Sequence, residues 1–279
     1  MNDAASPAGA GPTAGRTALV TGGAVGIGRG IALALAASGY DLAISYYGEE
    51  EQAEEVANTV RSRFGRSCHA IPCDLTEAAS PAALVGLAVR ELGRLDVLVN
   101  NAGVSRFASV RKLGVSDIDP LLHLNLRAPL LTMQAASAHM IERGIRGSIV
   151  NITSTRAERA YPGDAVYGAT KAALARATQS AALDLARYGI RVNCVAPGAT
   201  ASREGEAARR WYDALGRKIP LGRAGTPADV GDAVVWLASG QAGYVTGTTI
   251  RVDGGLIVPG MPEDVRPEAG YGWGLPPAD

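Results

Sequence analysis

Residues 17–28 read Thr-Ala-Leu-Val-Thr-Gly-Gly-Ala-Val-Gly-Ile-Gly, and this stretch decides the fold. The first four residues predict a short buried strand, and a helix is predicted from the glycines to about Ala37. Glycines between a strand and a helix let the backbone turn sharply and approach a pyrophosphate, which the helix N-terminus attracts. The alternative is a tight turn without a ligand. A Walker-type loop is excluded, because no Lys-Ser or Lys-Thr pair follows the glycines.

Strands and helices alternate in the same way along the rest of the chain. This alternation predicts an α/β protein with a single-domain Rossmann fold, a doubly wound parallel sheet of about seven strands with helices on both faces. No linker interrupts the pattern in residues 15–258. Residues 1–14 predict a disordered tail, and residues 259–279, rich in proline and glycine, predict an irregular one. The strands are expected at 17–20, 41–46, 67–72, 95–99, 147–154, 190–195 and 248–252.

The charged residues, cysteines and histidines exclude several classes of protein. Lys+Arg and Asp+Glu balance at 27 each, so nothing indicates nucleic acid or an anionic membrane as a partner. No apolar run approaches the roughly 18 to 20 residues of a membrane span. Three cysteines and three scattered histidines lack metal-ligand spacing, so no metal site is predicted. Reduced thiols and an N-terminus without a signal pattern predict a cytoplasmic protein.

Polar or small residues stand where several of the predicted strands end. They are Asp74 after the third strand, Asn101 after the fourth, Ser154 at the end of the fifth and Pro197-Gly198 after the sixth. The carboxyl ends of parallel strands meet at one edge of the sheet, where α/β proteins bind their ligands. One site is therefore expected there. The position of Asp74 suits both a contact with an adenine amino group and a helix-entry cap.

The end of the second strand bears on the choice of dinucleotide. An acid at this place usually holds the ribose of a cofactor that lacks a 2′-phosphate. This chain has Tyr46 and Tyr47 there, and its first acid, Glu49, comes later. The missing acid leaves room for a 2′-phosphate, although no arginine or lysine stands beside it, and NADP is accordingly favoured over NAD. Packing at the strand end is the alternative explanation of the tyrosines.

Tyr167 and Lys171 lie four residues apart in a predicted helix over 165–188, so they share one face. A free phenol titrates near pH 10, and a fixed ammonium nearby favours the phenolate. The pair suits acid/base chemistry, although a half-buried tyrosine with a snorkelling lysine is the commoner explanation. Asn125 lies between two leucines of a predicted helix over 116–143 and needs partners if it is buried. A local distortion of that helix is the alternative.

Two regions near the C-terminus have a distinct character. Residues 203–222 are charged and include Trp211 and Tyr212, which predicts an amphipathic flap rather than a part of the scaffold. The stretch 226–239 begins Thr-Pro-Ala-Asp, with a capping residue and a proline in the first turn, and predicts a helix.

These motifs, together and in this order, resemble the compact single-domain branch of the short-chain dehydrogenase/reductase family. The resemblance covers roughly residues 16–256 and extends to 3-oxoacyl-carrier-protein reductases and sugar dehydrogenases within the family. Ser154 precedes Tyr167 by thirteen residues, the interval usual in the family. The motifs that carry the likeness are Thr21-Gly-x-x-x-Gly26-Ile-Gly28, Asn100-Asn-Ala-Gly103, Asn125, Ser154, Tyr167-x-x-x-Lys171 and Pro197-Gly198.

The resemblance implies an oxidoreductase that transfers a hydride between NAD(P)(H) and the carbonyl or alcohol group of a small molecule. It assigns Tyr167 as the acid/base, whose pKa Lys171 lowers while binding the nicotinamide ribose. Ser154 bonds the substrate oxygen, and Asn125 holds a water that links Lys171 to solvent. The implied cofactor-binding residues are Gly22, Gly26, Ile27, Gly28, Tyr46, Asp74, Leu75, Asn101, Ala102, Gly103, Tyr167, Lys171, Pro197, Gly198, Thr200 and Ser202.

The resemblance also implies assembly as a homotetramer or homodimer through the outward apolar sides of the helices over 116–143 and 165–188. A catalytically silent nucleotide-binding regulator of the same fold is the alternative, and the presence of the whole reactive set counts against it. The substrate is expected to be set by residues 104–113, 155–165 and 200–222. Their polar and aromatic side chains fit sugars, ketoacyl groups, small ketones or polyols alike.

Overall fold

The computed structural model describes residues 15–203 and 205–259. One sheet of seven parallel strands, in the order β3-β2-β1-β4-β5-β6-β7, confirms the predicted doubly wound Rossmann fold. The predicted tails, residues 1–14 and all but the first residue of 259–279, lie outside the described residues. The strands are β1 (Thr17–Val20), β2 (Asp41–Tyr46), β3 (Cys68–Pro72), β4 (Val97–Asn100), β5 (Ser148–Ile152), β6 (Arg191–Pro197) and β7 (Thr249–Val252).

Helices pack on both faces of the sheet. They are α1 (Gly26–Ala37), α2 (Glu50–Phe64), α3 (Ser80–Leu92), α4 (Val115–Leu122), α5 (Ala128–Glu142), α6 (Ala165–Ala186), α7 (Glu206–Gly216) and α8 (Pro227–Ala238). The apolar core on one face includes α1, α2 and α8, and the core on the other includes α3, α5 and α6. Within β1, Ala18 and Val20 enter the first core and Leu19 the second, because successive side chains of a strand alternate between faces.

The order of the strands leaves a crevice at the carboxyl ends of β1 and β4. The chain first adds β2 and β3 on one side of β1 and then returns to add β4 on its other side, where Val20 pairs with Val99. The connections therefore leave this point in opposite directions, and the loops above it part. The site that the sequence predicts at this edge has room between those loops.

The predicted helical stretch over 116–143 is present as α4 and α5, and its middle departs from α-helical geometry. Residues His123–Arg127 form one π-helical turn between α4 and α5. Asn125 lies in this turn with 0% of its surface exposed, and its side chain is hydrogen-bonded. Asn125 thus has hydrogen-bond partners and also lies in a local distortion of the helix. The sequence predicts these two features as alternatives. Such turns occur frequently at functional sites.

A buried amide network ties the two central strands to the helices behind them. The Asn100 side chain of β4 donates to the Asn151 oxygen of β5 at 2.9 Å and accepts from the Thr132 hydroxyl of α5 at 2.6 Å. Asn151 in turn donates to the Thr178 hydroxyl of α6 at 2.8 Å. Because each side chain is satisfied, the network avoids the cost of burying unpaired amides and holds α5 and α6 in register with the sheet.

The region predicted as an amphipathic flap contains α7. Tyr212 is buried and its hydroxyl accepts the backbone N–H of Ser202 at 3.3 Å, whereas Trp211 is exposed. The next predicted helix is present as α8, where the side chains of Thr226 and Asp229 each accept the other's backbone N–H. None of the helices in the described part of the chain is long and apolar enough to cross a membrane.

Candidate active site

A cavity of about 770 Å³ opens at the carboxyl edge of the sheet. The segments that follow β1 to β6 all contribute to its wall, as expected for parallel strands that end at one edge. Ser154, Tyr167 and Lys171 line the cavity, and so does every residue predicted to bind the cofactor except Thr200. Asn125 lies behind the wall rather than in it.

Thr21 and Asn101 join the ends of β1 and β4 and hold the glycine turn in place. The Thr21 hydroxyl accepts the backbone N–H groups of Asn101 and Ala102, each at 3.0 Å. In return the Asn101 side-chain nitrogen donates to the backbone oxygens of Thr21 and Gly22 at 2.9 and 3.0 Å. That nitrogen is therefore occupied in shaping the turn, which leaves the other groups of Asn101 to meet a cofactor.

The glycine turn forms a cradle that has no room for side chains. Gly22 and Gly26 have φ values of +61° and +53°, in the left-handed region that glycine adopts readily. A Cβ atom on Gly28 would lie 1.9 Å from the Gly22 oxygen. The first N–H groups of α1, like those of any helix, have no intrahelical partner. No side chain caps them either, so they remain available at the cavity wall. A pyrophosphate fits such a cradle, because it meets donors and a positive helix end.

The wall beside β2 and β3 carries two acids. Asp74 accepts both the N–H and the hydroxyl of Thr76, at 2.9 and 2.6 Å, and these bonds hold the pKa of Asp74 below its ordinary value. Asp74 therefore caps its own turn, and α3 begins only at Ser80. The Glu49 carboxylate, which accepts the Tyr47 N–H at 3.1 Å, also lines the cavity. In the sequence, Glu49 lies beyond the position of the strand-end acid. In the folded chain, its side chain nevertheless lines this wall.

Ser154 and Tyr167 both line the cavity, and their hydroxyl groups interact. Ser154 lies two residues after β5, and Tyr167 lies in the first turn of α6. Burial raises the pKa of the Tyr167 phenol above its ordinary value. The hydrogen bond with Ser154 and the charge of Arg156 lower that pKa, and the charge of Asp164 raises it. A hydroxyl pair of this kind can bond one substrate oxygen from two sides.

The ammonium of Lys171 is hydrogen-bonded to the backbone beside the phenol. Its Nζ donates to the Ile152 backbone oxygen at 2.9 Å and lies 5.9 Å from the centre of the Tyr167 ring. Lys171 is 4% exposed, and burial lowers its pKa to about 8. Ser154 and Arg156 lower the pKa of Tyr167 in this structure, and the same effect of Lys171 stays a prediction.

Asn125 supports the loop that follows β4. Its side-chain oxygen accepts the Val104 N–H at 3.0 Å, and its nitrogen donates to the Val104 oxygen at 2.9 Å and to the Thr170 hydroxyl at 3.4 Å. A Cβ atom on Gly103 would lie 3.0 Å from the same Asn125 oxygen, so the loop packs directly on the amide. This bracing is a function of Asn125 that the sequence did not predict.

The turn after β6 brings Ser202 to the cavity but not Thr200. The Thr200 hydroxyl donates to the Gly198 oxygen at 3.4 Å, and its backbone forms a bridge with Gly225. The predicted cofactor contact of Thr200 is corrected accordingly. Ser202 lies against the glycine turn, 3.4 Å from where a Cβ atom on Gly26 would stand.

Ser45 and Arg106 are among the wall residues that the predicted catalytic and cofactor-binding sets leave out. Ser45 accepts the Gly22 N–H through its hydroxyl at 3.1 Å, and a polar residue in the buried strand before Tyr46 was the signal for it. Arg106 was placed only among the residues that set the substrate, and it is one of two lining cations, with Lys171, in the described part of the wall.

A doubly wound sheet with a glycine cradle and a Ser-Tyr-Lys set at its carboxyl edge defines a nucleotide-dependent oxidoreductase. Comparison with known proteins agrees with that class. The family model described as Enoyl-(Acyl carrier protein) reductase matches residues 22–257. A 3-oxoacyl-[acyl-carrier-protein] reductase of Staphylococcus aureus is 39% identical over 244 residues, which cover 87% of this chain and 98% of that protein.

Solved structures show the same relationship. The chain is 37% identical to a short-chain dehydrogenase/reductase from Serratia marcescens, with a TM-score of 0.82 over 88% of this chain and 99% of that one. A blue fluorescent protein from a metagenomic library, in complex with NADPH, is 34% identical, with a TM-score of 0.81 over 88% and 100% of the two chains. The chain belongs to the short-chain dehydrogenase/reductase family and is an NAD(P)-dependent oxidoreductase.

The cradle leads to a prediction for Gly28→Ala. The new methyl group would meet the Gly22 oxygen at 1.9 Å, so the turn must open, and we expect affinity for the cofactor to fall at least about tenfold, or by about 1.4 kcal/mol. A fluorescence titration with NADPH measures this affinity. Gly86→Ala in α3 is the matched control, because its Cβ meets nothing within 4 Å, and it should leave affinity unchanged. Equal affinity of the two variants would contradict the cradle.

Proposed function

We propose that Tyr167 exchanges a proton with the oxygen of a small carbonyl or alcohol substrate while the oxygen is held by Ser154. The observation that carries this proposal is that Ser154 and Tyr167 lie together in the wall of the cavity that also contains the glycine cradle, where Ser154 lowers the pKa of the phenol. When bound, a nicotinamide dinucleotide supplies or accepts the hydride. No observation favours a silent regulator, since Ser154, Tyr167 and Lys171 all line the one cavity.

In the direction of reduction, the substrate carbon gains a hydride and its oxygen gains a proton. Tyr167 gives that proton from its hydroxyl as the carbonyl electron pair moves to oxygen, and Ser154 donates a hydrogen bond to the oxygen as its charge grows. The phenolate left on Tyr167 is then reprotonated. Lys171, with its pKa of about 8, is a suitable proton donor at neutral pH. Asn125 is proposed to hold a water that links Lys171 to solvent. Oxidation runs the same steps in reverse.

For the cofactor-binding residues we retain the predicted set without Thr200. Gly22, Gly26 and Gly28 are assigned to the pyrophosphate, since their backbone forms the cradle. The adenosine end is assigned to the wall with Asp74 and Tyr46, and the nicotinamide end to the turn with Ser202. Leu75, Ile27, Ala102, Gly103, Pro197 and Gly198 complete the lining.

The substrate class is a small carbonyl compound or the matching alcohol. The Staphylococcus aureus relative, which is named for reduction of 3-oxoacyl groups, makes 3-oxoacyl thioesters the first compounds to assay. The lining also includes Arg106, Pro120 and Leu124, a mixed polar and apolar surface that suits a chain with a polar head. Loss of NADPH absorbance with a panel of ketones, ketoacyl thioesters and sugars identifies the accepted compounds.

The free thiols support the expected location in the cytoplasm. Cys68, Cys73 and Cys194 are all unpaired in the structure. Burial raises the pKa of Cys68 to about 12, and it also raises the pKa of Cys194, so these two thiols are unreactive. Unpaired cysteines are typical of reducing compartments, and we propose the cytoplasm on this basis.

Replacement of the proposed acid tests the mechanism. Tyr167→Phe keeps the ring and removes the hydroxyl, so turnover should fall roughly 10²- to 10⁴-fold while the dissociation constant of NADPH stays within about twofold. Tyr244→Phe, at a fully exposed tyrosine, is the control and should retain full activity. A Tyr167→Phe enzyme with an undiminished rate on an accepted substrate would rule Tyr167 out as the acid/base.

The preference for NADPH over NADH is a second proposal. Tyr46 occupies the end of β2 where an acid would hold a free ribose, and a relative at 34% identity is known in complex with NADPH. We expect NADPH to bind about tenfold more tightly than NADH in parallel titrations. Glu49→Gln should tighten the binding of NADPH but not of NADH, because it removes a negative charge that would repel the 2′-phosphate. Glu51→Gln is the control and should leave both affinities unchanged. Tighter binding of NADH by the unmodified protein would overturn the preference.

We propose that the protein assembles as a homotetramer or homodimer through α5 and α6. Leu130 of α5 and Leu183 of α6 are exposed, at 40% and 82%. A mass of two or four chains is expected by light scattering at micromolar concentration. Leu183→Glu should reduce that mass, whereas Leu221→Glu at an exposed loop position should not. A single-chain mass for the unmodified protein would contradict the assembly.

A further inference from the structure

Four side chains that the mechanism does not use form a cluster beside Tyr167. The Arg156 Nη1 atom donates to the Asp164 carboxylate at 3.0 Å. The guanidinium carbon of Arg156 lies 4.8 Å from the ring centre of Phe107 and 4.4 Å from that of Tyr161. The Asp164 carboxylate is buried and also accepts the Tyr161 N–H at 3.2 Å. A cation stacked between two rings and paired with a buried acid is held in one place.

This cluster links the segments that carry the two reactive hydroxyls. The backbone N–H of Arg156 donates to the Ser154 hydroxyl at 3.2 Å. The Arg156 backbone oxygen packs on α6 so closely that a Cβ atom on Gly168 would lie 2.9 Å from it. The Phe107 ring stands edge-on to the Tyr167 ring, with centres 6.0 Å apart. Arg156 is therefore fixed relative to both Ser154 and Tyr167.

Several charged groups lie on the elements around Tyr167. Lys171 lies on the same helix, and Arg106 lines the same cavity. On α4, Asp117 accepts the Gly114 N–H at 3.1 Å and Asp119 is exposed. Arg156 and Asp164 are the charged groups whose effect on the phenol is resolved, and they act in opposite directions.

The two nearby cations differ in how they respond to pH. Lys171 faces the Ile152 oxygen, and its pKa of about 8 means that it loses its charge within the working range of an alkaline oxidation. An arginine keeps its charge at every pH that the enzyme meets. Arg156 is thus a permanent cation beside the phenol.

We propose that Arg156 and Asp164 are positioning residues that hold the Tyr167 phenol in place and set the charge balance around it. Arg156 favours the phenolate, and Asp164 locks Arg156 in place while offsetting part of its field. The inference rests on the proposed role of Tyr167 as the acid/base. It assigns a function to two residues that lie outside the reacting set.

The signs of the expected effects follow from charge. Alcohol oxidation needs the Tyr167 phenolate, so its rate rises with pH through the pKa of Tyr167. Arg156→Gln removes the favourable cation and leaves the Asp164 charge, which raises that pKa and moves the rising limb to higher pH. Asp164→Asn removes the unfavourable anion and moves the limb to lower pH. A merely structural role would lower the rate in both variants without opposite shifts.

The experiment is the pH profile of kcat for alcohol oxidation at saturating NADP⁺, with an alcohol that the unmodified enzyme accepts. We expect the limb to move up by about 0.5 to 1 pH unit in Arg156→Gln and down by about 0.5 unit in Asp164→Asn. The double variant should fall between them. Arg156→Lys keeps the charge, so its limb should stay close to that of the unmodified enzyme. Arg251→Gln is the control, because Arg251 pairs with Glu158 at 3.7 Å and lies outside the cluster.

Shifts of the same sign in the two single variants, or no shift in Arg156→Gln, would overturn the proposal. If Asp164→Asn does not fold, the comparison of Arg156→Gln with Arg156→Lys decides alone. The same limb in the residual activity of Tyr167→Phe would show instead that the titrating group is not Tyr167. That result would reject the proposed function rather than the charge balance, so the two failures are distinguishable.

Discussion

The hydrogen bonds between Thr21 and Asn101 are the contact on which the site depends. Where the strand order reverses, the loops that follow β1 and β4 run in opposite directions and leave a gap between them. Backbone N–H and C=O groups at the two strand ends face this gap and need hydrogen-bond partners. Thr21 and Asn101 satisfy those groups across the gap, at 2.9 to 3.0 Å. The same bonds fix the backbone of Gly22, against which Gly28 packs without room for a side chain. The opening that follows from topology thereby becomes a rigid cradle at the end of α1.

The reacting groups share a second constraint, which is burial. Burial raises the pKa of Tyr167 and lowers that of Lys171 to about 8, so two groups of nearly equal ordinary pKa move apart and the Lys171 ammonium becomes the stronger acid. A proton can then pass from that ammonium to a Tyr167 phenolate. Burial alone works against the phenolate, however. The Ser154 hydroxyl and the fixed charge of Arg156 oppose this effect, while the Lys171 ammonium is bonded to the Ile152 oxygen.

Much of this arrangement could be predicted from the sequence because it depends on regular elements. Alternating strands and helices determine the sheet, and the ends of its strands determine where Ser154 and Asp74 must lie. The features that were missed or left open depend on irregular backbone. The π-helical turn at Asn125, the inward turn of Thr200 and the return of Glu49 to the cavity wall each follow from local geometry without a periodic pattern. The ion pair of Arg156 with Asp164 joins two positions in a loop, which no spacing rule connects.

The central claim is that a hydride passes to a carbonyl carbon at this edge of the sheet, beside Tyr167. The most direct test uses NADPH that carries deuterium at the transferable position of its nicotinamide. The enzyme is incubated with this NADPH and a carbonyl compound that it accepts, and the fate of the deuterium is followed. Mass spectrometry of the product alcohol should find the deuterium on the carbinol carbon, and the proton on its oxygen should come from solvent. Deuterium released to solvent, with none retained in the alcohol, would contradict the account.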